Sequence, residues 1–146
     1  AGMAQAQTTG YDRHQGYYYP APQTVETYVA RVKELPEAER RRRIAFVIGV
    51  TGQAMRSPFP PQYAIFAKGD EAEKLIIVGL DDKRYNTLYR MRALLAMLTA
   101  MARTTPIFRD TAVSEDLTFL DMLKMMGFRK LTITDGATVS HQINIK

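Results

Sequence analysis

Gln62-Tyr-Ala-Ile-Phe-Ala-Lys-Gly-Asp-Glu-Ala-Glu-Lys-Leu-Ile-Ile-Val-Gly-Leu80 decides how the rest of the chain is read. Two apolar runs of strand length flank the charged turn Lys-Gly-Asp-Glu-Ala-Glu, which predicts a β-hairpin with a solvated acidic tip from Asp70 to Glu73. A lone hairpin is marginal in water and needs further strands or a helix on its apolar face. This hairpin is therefore expected to be the central pair of a larger sheet.

The flanking sequence offers both supports. Upstream, Thr24 to Val32 is rich in β-branched and aromatic residues and predicts a strand. Pro36, Glu37 and Glu39 then mark the start of a helix running to about Met55, because proline suits a first turn and acids suit the positive end of the helix dipole. Ile44, Val47, Ile48, Thr51 and Met55 would form its inner face. The run Ile44–Val50 also fits a buried strand, and both readings stay open for residues 44–50. Ser57-Pro-Phe-Pro-Pro61 ends the element.

Downstream, Asp81 or Asp82 can cap a helix from about Lys83 to Arg103. Tyr85, Leu88, Met91 or Arg92, Leu95, Leu98 and Ala102 recur at helical spacing. Thr104-Thr105-Pro106 ends it. A third helix is expected from Ser114, or from Thr111, with Glu115 and Asp116 in its first turn, Leu117, Leu120, Leu123 and Met126 facing inward, and Gly127 closing it.

The last segment predicts a second hairpin around Asp135-Gly136, with strands Lys130–Thr134 and Ala137–Ile145. Leu131, Ile133, Val139, His141, Ile143 and Ile145 share one side, and Thr132, Thr134, Ser140, Gln142 and Asn144 share the other. Such alternation predicts one packed face and one wet face. The expected fold is α+β: about five antiparallel strands, from the N-terminal strand and two hairpins, with three helices on one face. Residues 1–22, rich in Gln, Gly, Tyr and Pro, read as a disordered leader, and residues 23–146 as a single domain. Within the leader, Tyr17-Tyr18-Tyr19-Pro20-Ala21-Pro22 favours extended geometry.

Composition narrows the chemistry. The 146 residues contain no cysteine, which excludes disulfides, thiol catalysis and thiolate zinc sites. No apolar run reaches the 18 or so residues of a membrane span, so no transmembrane segment is expected. The net charge of +5 suits anionic partners without requiring them. Ala4-Gln5-Ala6 has the small-x-small pattern of a signal-peptide cleavage site, so a periplasmic location is expected, with the signal peptide removed. A tag remnant explains the same residues.

Candidate sites are few. Of two histidines, His14 lies in the leader and His141 among apolar neighbours in the last strand, where packing explains it. A Ser/His/Asp set assembled from Ser114 or Ser140 with His141 lacks the motif that positions such a nucleophile. The acidic groups Asp81-Asp82, Asp70-Glu71-Glu73 and Glu115-Asp116 fall where helix starts and turns favour acids. Gly49-Val50-Thr51-Gly52 lacks the Lys-Ser/Thr ending of a phosphate loop. Arg40, Arg41, Arg42 and Arg43 form a basic collar able to contact anions, without the interleaved aromatics of a nucleic-acid site. Met97, Met101, Met122, Met125 and Met126 are an alternative copper(I) set, since thioethers suit that soft ion, although methionine also fills helix–helix gaps. No catalytic residue and no cofactor is assigned.

The segments Tyr63–Gly69, Glu73–Leu80, Ala93–Ala100 and Thr105–Phe108 resemble those of a small family of exported bacterial proteins of unknown function. The resemblance covers roughly residues 20–146. Members are sometimes labelled molybdopterin-guanine dinucleotide biosynthesis protein A, which implies an accessory role in molybdenum cofactor synthesis. The leading expectation is a non-catalytic periplasmic binding or assembly module whose partner is another protein and no specific nucleic acid. Its surface would be the polar sheet face of Thr132, Thr134, Ser140, Gln142 and Asn144. Copper(I) handling and the cofactor-synthesis role are the alternatives.

Overall fold

The structure, a computed structural model, describes residues 11–14, 17–80, 87–102 and 117–146. Strands β1 (Tyr11–His14) and β2 (Tyr17–Pro20) pair antiparallel inside the stretch expected to lack regular structure. Then follow β3 (Thr24–Tyr28), α1 (Arg40–Arg56), β4 (Tyr63–Lys68), β5 (Lys74–Gly79), α2 (Leu88–Ala102), α3 (Phe119–Met125), β6 (Lys130–Thr134) and β7 (Ser140–Ile145).

The fold is α+β, and its five-stranded sheet has the order β3-β7-β6-β5-β4. The sheet is mixed, which corrects the all-antiparallel expectation: β5 runs parallel to β6 and β3 parallel to β7, whereas β4–β5 and β6–β7 are antiparallel. The cause is connection length. A tight turn reverses the chain, but the β5-to-β6 connection carries two helices and returns to the end from which β5 started.

The opening hairpin also divides differently from expectation. Its second strand is interior, with Leu75, Ile76, Ile77 and Val78 all buried, as a run covered on both faces requires. Its first strand, β4, lies at the sheet's edge.

One face carries the main core. Leu75, Ile77, Leu131, Ile133, Ile143 and Ile145 of the sheet pack with Met91, Leu94 and Leu98 of α2 and Met122 and Leu123 of α3. Phe46 of α1 completes this layer, its ring centre 6.4 Å from that of Phe119 and 6.0 Å from that of Phe128. Ile76, Val78 and Phe66 form a second apolar cluster on the opposite face. Thr132, Thr134 and Ser140 on that side are buried, so the face expected to be wet is not solvated at its centre. The Thr134 hydroxyl donates to the Val139 carbonyl at 2.7 Å, and Ser140 Oγ has no hydrogen-bond partner among the described residues.

The helices follow local chemistry that spacing alone does not reveal. Helix α1 begins at Arg40, four residues beyond Pro36, and includes the whole of Ile44–Val50. Its inward row is Arg43, Phe46, Val47 and Val50, whereas Ile48 and Met55, expected inside, are 66% and 74% exposed. The start of α2 is capped by Thr87, whose hydroxyl accepts from the Arg90 N–H at 3.1 Å; Asp81, Asp82 and Tyr85 lie outside the described residues. Thr118 caps α3 through a reciprocal box with Asp121, while Thr111, Ser114, Glu115 and Asp116 lie outside the described residues. The carboxylate of Asp121, fully buried, also accepts from the Tyr28 hydroxyl and the Arg31 N–H, joining α3 to the end of β3.

Turns close the remaining gaps. Asp135 accepts from the N–H groups of Ala137, Thr138 and Val139 and from the Thr138 hydroxyl. Partial burial works to raise its pKa, and these donors outweigh that and hold the carboxyl below its usual range.

The basic collar divides in the same way. Arg40, Arg41 and Arg42 are exposed, but Arg43 is buried and its guanidinium donates to two carbonyls: Glu71, from Nε at 3.1 Å and Nη2 at 2.9 Å, and Met126, from Nη1 at 3.1 Å. It thereby clamps the β4–β5 turn to the end of α3. Gly127 sits beside it at φ +87°, where a Cβ would stand 2.5 Å from the Nη1 of Arg43. Gly127→Ala is expected to cost about 2–4 kcal/mol, from the left-handed backbone and the displaced guanidinium. In an Arg43→Met background, itself destabilised, the added cost should shrink because the clash partner is gone. Denaturant unfolding of the double-mutant cycle measures the coupling, and strictly additive losses contradict the clamp.

Candidate functional site

Two arrangements combine exposure with organised polar or apolar groups. The first lies at the β3 edge. His141 on β7 is buried, and Thr24 and Glu26, two residues apart on β3, point to the same side of that strand. Thr24 Oγ1 lies 2.6 Å from His141 Nδ1, and Glu26 Oε1 lies 2.6 Å from His141 Nε2. Arg92 of α2 donates from Nη2 to the same Glu26 oxygen at 2.9 Å.

A carboxylate only accepts, so Nε2 carries a proton, and in the neutral ring the Thr24 hydroxyl donates to Nδ1. Partial burial works to raise the pKa of Glu26, but the His141 hydrogen bond and the Arg92 charge outweigh it and hold the carboxyl below its usual range. Hydroxyl, imidazole and carboxylate in series can move a proton in a nucleophilic enzyme. Here both partners of the ring sit on one edge strand, so the chain joins β3 to β7 and, through Arg92, to α2. It is a staple.

The second arrangement lies at the opposite edge. The Leu80 N–H donates to the Gln62 carbonyl at 2.9 Å, and the β4–β5 register continues that pairing through Ala64–Val78, Phe66–Ile76 and Lys68–Lys74. In an antiparallel ladder the intervening residues turn their polar backbone groups the other way. The N–H and C=O groups of Tyr63, Ile65 and Ala67 therefore point away from β5, along an edge that pairs with no other strand among the described residues.

Helix α1 packs beside this edge. Its N-terminal half meets the β4–β5 turn through Arg43, and six residues join its C-terminus to Tyr63, so it runs antiparallel to β4. Between them lies an open, mainly apolar groove of about 750 Å³, lined by Ile44, Ile48, Thr51, Met55, Tyr63 and Ile65 among others. Burial there pushes the Tyr63 phenol above its ordinary pKa. Gly49 and Gly52 lie on the same helix, and a Cβ at Gly49 would meet nothing within 4 Å.

The other expected sites do not assemble. Thr132, Thr134 and Ser140 are buried, and the partly exposed Gln142 spends its amide on Asn144 Oδ1 at 3.0 Å. Met122 and Met125 are core residues, Met101 and Met126 pack against that core, and Met97 is 41% exposed, so the five methionines are divided between interior and surface. Among the described residues no group of three His, Asp or Glu side chains could hold a metal ion. Among the same residues, no helix is long and apolar enough to cross a membrane.

Comparison with protein-family models, curated proteins and solved structures yields no match for this chain. Fold and surface therefore define it: an α+β fold with a mixed sheet, one edge strand stapled to its neighbour and the other beside an exposed apolar row of α1.

The staple has a pH signature. A carboxyl whose pKa is lower in the folded than in the unfolded chain contributes stability above its unfolded value, here about 4.5, and loses it as pH falls through the folded value. The stability difference between wild type and Glu26→Gln should shrink as pH drops below about 4.5, where His141 and Arg92 no longer face a carboxylate. A difference that stays constant through that range contradicts the lowered pKa.

Proposed function

We propose that this protein is a non-catalytic docking and assembly module that works by strand addition at β4. The observation that carries the reading is the row of outward-directed N–H and C=O groups at the half-buried Tyr63 and Ala67 and at Ile65, itself only 4% exposed, beside the exposed side chains of Ile48 and Met55. An extended chain laid along β4 would satisfy those backbone groups, and its side chains on the helix side would meet α1. Backbone hydrogen bonds supply affinity in this mode, and the pockets between strand and helix supply selectivity.

The partner is thus a protein segment in extended conformation with apolar residues at alternate positions. Fully burying an aliphatic or thioether side chain is worth about 1.5–3 kcal/mol, so Ile48 and Met55 can contribute as much as the added ladder. Copper(I) handling receives no support from methionines divided between core and surface. A role in molybdenum cofactor synthesis rests on the sequence resemblance alone.

Backbone amide exchange tests the reading, with a soluble heptapeptide alternating valine and threonine as the probe. The Tyr63, Ile65 and Ala67 amides should exchange about tenfold slower or more than unpaired amides, either when the probe is added or already in the concentrated protein alone. Ala64 and Phe66, whose backbone groups face β5, should not change. Fast exchange at the three outward amides under both conditions overturns the proposal.

A further inference from the structure

We infer that the segment which adds to β4 is β4 of a second copy of this chain, the two related by a two-fold axis through Ile65. This rests on the strand-addition reading above and names its partner. Outward-facing residues of two antiparallel strands must stand directly opposite one another to exchange both backbone hydrogen bonds. On β4 those residues are Tyr63, Ile65 and Ala67. The register that uses all three pairs Ile65 with Ile65, Tyr63 with Ala67 and Ala67 with Tyr63, two bonds per pair. It is symmetric about Ile65, as an isologous contact requires.

The helix beside the strand favours a second copy over an isolated peptide. A peptide covers the strand edge but leaves the outer flank of α1 in water. A two-fold axis perpendicular to the sheet puts both α1 helices on the same face, antiparallel and side by side. Ile48 and Met55 of each then face the other, and Gly49 and Gly52 offer no side chain to hold the helices apart. One operation thus covers both the edge and the exposed apolar row.

Charges act in both directions in this placement. In this register Lys68 stands opposite Gln62, Gly69 opposite Pro61 and Asp70 opposite Pro60. The acidic turn of one copy, with Asp70 and Glu71 exposed, therefore reaches the end of α1 in the other, where Arg56 provides the basic charge of the last turn. The same antiparallel placement brings the exposed Arg40, Arg41 and Arg42 of one helix toward Arg56 of the other, so the acidic turn works against a like-charge contact. Pro60 and Pro61 lack an N–H, so the new ladder stops there. The product is a closed dimer with a continuous sheet of twice five strands.

Sedimentation equilibrium of the full chain tests the inference, because a dimer has twice the 16.5 kDa chain mass. Ala67→Pro removes an outward N–H without touching the β4–β5 ladder, and Ile48→Glu places a charge on an exposed position that the fold does not use. Each should weaken self-association by about tenfold or more, equivalent to 1.4 kcal/mol. Tyr89→Glu, at a position on α2 that is 83% exposed, should leave it unchanged. Three results overturn the inference: a wild type that stays monomeric, a dimer indifferent to both Ala67→Pro and Ile48→Glu, or equal loss with Tyr89→Glu. A monomer whose Tyr63, Ile65 and Ala67 amides are still protected by the heptapeptide overturns the second-copy assignment while supporting strand addition. A monomer without that protection removes both.

Discussion

The buried guanidinium of Arg43 fixes the rotation of α1, and the surface of the molecule follows from it. An arginine cannot shed its charge and must satisfy several donors when it leaves water. Here the acceptors are the Glu71 and Met126 carbonyls, on two turns that are far apart in sequence. Holding Arg43 against those turns sets which residues one helical turn on face inward. Phe46, Val47 and Val50 reach the core, and the row through Ile44, Ile48 and Met55 is carried to the flank above the β4 edge. A different rotation would bury that row and bring charge from the collar toward the core.

That interaction also explains what the sequence made legible. The hairpin from Gln62 to Leu80, the Asp135 turn, the Gly127 terminus and the two sides of the last hairpin are local matters of period and turn chemistry, and each appears in the structure. Three features are set by distant partners and were not legible. Strand direction in the sheet depends on where the helical connection returns the chain. The inner face of α1 depends on the acceptors of Arg43, and four consecutive arginines read as a solvated collar because nothing local marks one of them as buried. The polar face read as wet because alternation identifies a face without saying whether something covers it. Of the sites, Thr24 and Glu26 carried a faint signal, being two residues apart on a predicted strand, but their pairing with His141 spans more than a hundred residues. The groove was hidden in plainer fashion, since apolar residues at helical spacing are ordinarily core.

The two edges of the sheet are treated in opposite ways. An exposed strand edge invites pairing with other chains, and proteins usually blunt it. Strand β3 is five residues long, is tied down by His141 through Thr24 and Glu26, and has an arginine from α2 closing over the carboxylate. Strand β4 has six residues of the sequence Tyr-Ala-Ile-Phe-Ala-Lys, with its one charge at the far end and no inward-pointing charge along the row that could be offered to a partner. The staple ties β3 inward to β7, so the edges differ in what lies beside them: a polar network at β3 and the apolar flank of α1 at β4.

The strand addition proposed at β4 would have to be limited, because an edge that accepts any strand leads to aggregation. The limits at β4 are covalent and lie on both sides of the strand. Pro60 and Pro61 precede it and cannot donate to an added ladder, while Gly69 at φ +97° turns the chain away after Lys68. Any added strand is therefore confined to about the length of β4 itself. A partner that brings its own apolar helix flank gains from the exposed row on α1, and a generic edge strand does not. In the proposed addition, selectivity comes from coupling a short backbone ladder to the rotation of one helix, and Arg43 helps to hold that rotation.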